Sequence, residues 1–184
     1  MIGYRGFSDE IIVQLWARIL YASASAIPFF FIYFTLIFPE KDFSFTVWQK
    51  YLLPLPFLFV AGISLYPGGI IKYVDISGVE YKILFNQQPH LIYALYIVAY
   101  FSFSYLNLFK KYLISEKSVK EQLTYIIIGT LVSTMIGVAT NLLLPFLGRF
   151  ELNWVGQATI IVMIGAIFYA IIKRHLFNIK VIAT

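Results

Sequence analysis

The stretch LTYIIIGTLVSTMIGVATNLLLPFL, residues 123–147, decides the fold. It carries no charged residue from end to end, and a hydrocarbon core of roughly 30 Å asks for about 20 apolar residues of helix per crossing. It therefore reads as a membrane span closed near Pro145. Working outward, the same reading applies to residues 11–38, 44–66, 91–109 and 155–172. The second of these is the least regular, because Pro54 and Pro56 interrupt it and such residues bend a helix and free carbonyls. Ser44 is its expected N-cap. The expected fold class is all-α: a polytopic transmembrane helix bundle of about five helices in a single domain, with the lipid bilayer as its first partner.

Composition agrees. The 184 residues are 60% hydrophobic, 19% aromatic and only 12% charged, whereas a soluble domain has roughly a quarter of its residues charged. Too little polar surface remains to cover a water-facing globule. The net charge of +5 does not point to nucleic acid, since the basic residues fall between apolar blocks and not on one accessible patch. The absence of cysteine excludes disulfides, thiol catalysis and thiolate metal sites. Residues 1–9 lack the order of a cleaved signal peptide, so the first block is expected to be a retained helix.

The longest polar connection, residues 67–90, has a pattern of its own. Val79, Tyr81, Ile83 and Phe85 alternate with Glu80, Lys82 and Leu84 after the turn signal Ser77, Gly78, and residues 70–75 offer a partner strand. A small extracytoplasmic β-hairpin is expected there.

Chemistry is scarce. A catalytic site needs polar groups converging at one depth, and no catalytic, metal or cofactor site is expected. His90 and His175 fall at opposite sides of the expected bundle, and the acidic residues all lie in loops or tails. Gly129, Ser133, Gly137 and Asn141 recur every fourth residue, which places them along one helical face suited to close packing or to a polar pocket. Trp16, Arg18, Trp48 and Trp154 are placed as interface anchors, with Arg18 extending toward headgroups.

The segments KEQLTYIIIGTLVSTMIGVATNLLLPFLG (residues 120–148) and GAIFYAIIKRHLFNIKVIAT (residues 165–184) resemble the seven-helix membrane region at the N-terminus of many bacterial sensor histidine kinases. The matching positions are Gln122, Leu123, Tyr125 and Gly129, then Asn141 to Pro145, then Tyr169, Ala170, Ile171, Lys173, Arg174, Leu176, Phe177 and Ile179. LWARILYASASAIPFFFIYFTLIFP (residues 15–39) is similar to that family's third helix. Asn178 stands where the family more often has Asp, and two further helices of the family precede the matching stretch. The resemblance implies a signal-transduction role in a two-component system, with Tyr169, Lys173, Arg174, Leu176 and Phe177 carrying the signal into a cytoplasmic tail, residues 173–184. It further implies a homodimer formed through a parent kinase and a response regulator served by domains not in these residues. A diguanylate cyclase is an equally suitable output. The rival class is a small transporter or permease subunit, suggested by the proline-broken second span.

Orientation follows from Lys and Arg, which cytoplasmic loops retain. Lys41, Lys50, Lys110, Lys111, Lys117, Lys120, Lys173, Arg174 and Lys180 fall on one side, and Arg5, Arg18, Lys72, Lys82 and Arg149 on the other. The bias places the C-terminus in the cytoplasm and the N-terminus and hairpin outside the cell membrane. Because the chain lacks cysteine, single Ser77→Cys and Ser118→Cys variants test this directly. An impermeant thiol reagent on intact cells should label the first and reach the second only after permeabilisation; the opposite pattern reverses the topology.

Overall fold

The computed structural model describes residues 9–39, 44–76, 82–149 and 151–182; the side chains of Trp48 and of residues 173–182 lie outside that description. The chain is mostly helical and divides into two compact units, residues 1–104 and 105–184. Among the described residues four helical stretches are long and apolar enough to cross a membrane: Glu10–Ile37, Gln87–Ile114, Lys117–Phe146 and Asn153–Ile172. The second expected span is instead two short helices.

Helix α1 (Glu10–Ile37) starts where Asp9 accepts hydrogen bonds from the amides of Ile11 at 2.8 Å and Ile12 at 3.4 Å, supplying two of the four amides that a helix start leaves unpaired. Pro28 lies inside it. Helix α2 (Val47–Leu52) is capped by Thr46 and not by the expected Ser44. Gln49 explains the choice: Thr46 and Gln49 form a reciprocal capping box, which needs Gln or Glu three residues after the cap. Pro54 and Pro56 then separate α2 from α3 (Pro54–Leu65) at Leu53.

The two short helices retrace α1. Phe29 stacks on Phe57 with ring centroids 4.4 Å apart, and the Tyr33 hydroxyl donates to the Gln49 carbonyl at 3.3 Å. The return ends in a tight turn at Gly68, whose φ of 76° suits glycine, and at Gly69, where a Cβ would overlap the Ile63 carbonyl. Strands β1 (Ile71–Asp75) and β2 (Lys82–Phe85) pair antiparallel, with Ile71 opposite Phe85 and Asp75 opposite Lys82. The expected turn at Ser77 and Gly78 lies outside the described residues. The hairpin buries Ile70, Ile71, Val74 and Ile83, with β1 against α1. Its place is near the N-terminal part of α1, because Phe85 meets Tyr21 edge-on at 5.5 Å.

Helix α4 (Gln87–Ile114) begins earlier than the expected 91–109 and takes Pro89 and His90 out of the connection. Proline is tolerated in a first turn, where its missing amide would have no partner anyway. In the first unit α4 runs parallel to α1: Tyr93 donates to the Tyr21 carbonyl at 3.4 Å, Tyr96 to the Ser25 carbonyl at 2.9 Å, and Phe31 lies beside Phe101. Tyr100 donates to the Leu53 carbonyl at 2.6 Å.

In the second unit, α5 (Lys117–Val138) passes into a π-helical turn (Ala139–Leu143) and one further turn, α6 (Leu144–Phe146). Helix α7 (Asn153–Ile182) packs along α5. The expected tail from residue 173 is therefore a continuation of that helix.

Tyr96→Phe keeps the ring and deletes only the donor to Ser25. It should lower stability in detergent by about 1 kcal/mol, while Tyr51→Phe, on an exposed side chain, should leave the thermal midpoint unchanged.

Candidate functional site

The face expected from Gly129, Ser133, Gly137 and Asn141 lies in the second unit, and the structure divides it. A Cβ on Gly129 would overlap the Cβ of Ala166 on α7. The Ser133 carbonyl accepts from the Thr159 hydroxyl at 3.5 Å, and that hydroxyl also donates to the Gly156 carbonyl at 2.8 Å. Gly156 meets the Thr140 hydroxyl and the Asn141 amide so closely that a Cβ there would strike both. Gly137 is different: a Cβ on it would find nothing within 4 Å among the described residues.

The reason is helical geometry. An α-helix turns about 100° per residue, so each i+4 step carries a residue roughly 40° further round. By Gly137 the row has left the seam. The π-helical turn after Val138 advances more slowly, so Asn141 stays beside Thr140 and both reach Gly156. Such wide turns recur at functional positions.

Hydroxyl groups line the same helix without leaving their carbonyls. Thr130 donates to Ile126, Ser133 to Gly129 and Thr140 to Ile136, all at 2.6–2.9 Å, and Thr134 pairs with the Tyr105 hydroxyl at 2.8 Å. Two buried amides at the ends of this pair are incompletely satisfied among the described residues: Oε1 of Gln122 and Oδ1 of Asn153. Tyr125 touches Tyr169 edge-on at 5.1 Å.

The remaining expected positions separate. The backbones of Lys173, Arg174, Leu176 and Phe177 are helical, and their side chains, like that of Trp48, lie outside the described residues. Trp16 and Trp154 are exposed. Arg18 is half-buried and donates to Gln14 at 3.0 Å, and Gln14 donates to Glu10 at 3.1 Å. Its mate is thus a neighbour one turn away on its own helix.

The sequence reading missed a cluster in the first unit. His90 is buried and stacks on Phe85 at 4.2 Å and on Tyr93 at 6.4 Å, while Tyr21 meets both Phe85 and Tyr93 edge-on. The available signal was the spacing of Tyr93, Tyr96 and Tyr100, which puts three hydroxyls on one helical face. Among the described residues no three His, Cys, Asp or Glu side chains gather in a metal-binding group. The chain matches no family model, no curated protein and no solved structure.

The divided face gives opposite expectations for similar substitutions. Gly129→Leu and Gly156→Leu should each lower stability by about 1 to 3 kcal/mol through overpacking, seen as a lower midpoint in detergent. Gly137→Leu should leave it nearly unchanged. An equal loss at all three would restore the single uninterrupted face.

Proposed function

We propose that the chain is the input region of a two-component sensor histidine kinase, crossing the cell membrane five times with its N-terminus outside and its C-terminus in the cytoplasm. The observation that carries this reading is α7. Its apolar part, Asn153–Ile172, suffices for a crossing, yet the helix continues without a break to Ile182. A continuous helix conveys displacement at one end to the other, which is what a membrane input needs to reach a cytoplasmic module. The stimulus acts by binding one arrangement of the helices better than another. The output is a kinase, working as a homodimer with a response regulator as its partner.

The five-crossing topology draws support from α2 and α3. Together they lead from the C-terminal end of α1 back to the hairpin near its N-terminal part, the path that a second crossing takes. The same broken segment favours a transporter, since interrupted helices present free carbonyls to substrates. Here the Tyr33 and Tyr100 hydroxyls already lie against the break, donating to the Gln49 and Leu53 carbonyls beside it, which weighs against that use.

Lys173 and Arg174 fix how deeply α7 sits, because each cation near an anionic leaflet contributes about 1 kcal/mol. With a kinase domain continuing α7, Lys173→Ala plus Arg174→Ala should change basal autophosphorylation by several-fold. Lys110→Ala plus Lys111→Ala, an equal charge loss on another helix, should not. Matching behaviour of the two double variants at equal expression would defeat the coupling through α7.

A further inference from the structure

An open cavity of about 490 Å³ lies between the hairpin and the start of α4, lined by Lys72, Phe85, Asn86, Gln87 and Gln88. Among the described residues its lining has one cation, three amides, one aromatic ring and no acid. Asp75, the nearest acidic residue along β1, stands in register with Lys82 and is not part of the lining. The cavity therefore suits a polar group of negative charge, held by Lys72 and hydrogen-bonded by amides that both donate and accept.

What lies below the cavity narrows the occupant further. Gln88 heads a row of exposed apolar residues on α4, Leu91, Ile92, Leu95 and Val98, at spacings that keep them on one helical face. A charged recess continuing into an apolar stripe fits an amphiphile with an anionic head and a hydrocarbon tail. A soluble phosphate ester would fill the recess and leave the stripe unused.

We propose that this cavity binds the phosphate headgroup of an anionic phospholipid, with an acyl chain lying along Leu91, Ile92 and Leu95. The site rests on the membrane reading of the chain and is independent of any kinase output. Phe85 forms part of its wall and also stacks on His90 and meets Tyr21. Headgroup occupancy therefore acts on the contact that joins the hairpin to α1 and α4.

Native mass spectrometry of the purified full chain tests the proposal, with equimolar phosphatidylglycerol and phosphatidylcholine of identical acyl chains in the micelle. Phosphatidylglycerol should be retained preferentially, and Lys72→Ala should reduce that preference about fivefold. Gln88→Ala, at a second exposed lining residue, should also weaken it. Lys82→Ala, the same charge change on the hairpin but outside the cavity, should preserve it. Equal retention of the two lipids, or equal loss in the Lys72 and Lys82 variants, would overturn the site in favour of diffuse surface charge. Displacement of phosphatidylglycerol by an equal concentration of glycerol 3-phosphate would overturn the lipid assignment and make the cavity a soluble phosphate ester site.

Discussion

Interruptions of helical hydrogen bonding at proline are the constraint around which both units are tied. Pro28, Pro54, Pro56 and Pro145 each remove an amide from a helical run, and an unpaired carbonyl in apolar surroundings costs several kcal/mol. In the first unit three tyrosine hydroxyls bond carbonyls next to those the prolines would free. The acceptors Ser25, Gln49 and Leu53 each lie within one residue of the carbonyl four places before a proline. Tyr96 and Tyr100 thereby tie α4 to α1 and to the α2–α3 break, so a local defect in hydrogen bonding becomes the attachment point between helices. In the second unit the bonds around Pro145 stay within the chain itself. The π-helical turn lets the Leu144 amide reach the Ala139 carbonyl, and the amides of Leu147, Gly148 and Arg149 close the end onto Leu143, Leu144 and Pro145.

The two units are held by different means. In the first, large side chains fill the space between helices: Phe29 on Phe57, Phe31 beside Phe101, and Tyr21, Phe85, His90 and Tyr93 about one another. In the second, small side chains lie directly on glycine backbone: Ala166 on Gly129, and Thr140 and Asn141 on Gly156. Aromatic contact tolerates small shifts, because rings adjust their tilt at little cost. Contact through glycine does not, because one partner is main chain and cannot turn aside.

Sequence pattern sufficed for the apolar runs, for β1 and β2, and for the small residues of α5. Those features are local and periodic: Ile83 faces inward because strand residues alternate, and Gly129 lies on a seam because helical residues recur. Element ends were less legible. Pro89 reads as a terminator until the first-turn exception is applied, and Ser44 reads as a cap until Thr46 is paired with Gln49. Gly137 shows the limit of spacing alone, since an i+4 row winds away from a straight partner. The His90 cluster was legible only on its α4 side, in the spacing of Tyr93, Tyr96 and Tyr100: Tyr21 and Phe85 are far apart in sequence, and the return of α2 and α3 along α1 brings them together.

The contacts along α7 are unevenly spread, and that has mechanical consequences. Gly156 and Ala166 are the two points on α7 where a glycine contact with α5 and the π-helical turn leaves no room for a further atom, about 15 Å apart along the helix axis. Two close contacts at that separation fix both the distance from α5 and the crossing angle. Beyond Ala166 the seam continues through Tyr169 against Tyr125 and the fully buried Ala170. From Ala166 to Ile182 the helix runs a further 24 Å or so. A rod gripped in its first half magnifies small angular changes in its second: a tilt of about 5° at Ala166 displaces Ile182 by roughly 2 Å. Glycine contacts near the start of α7 and an unbroken helix to its end are thus one arrangement, in which the precision of the seam sets the size of the displacement at Ile182.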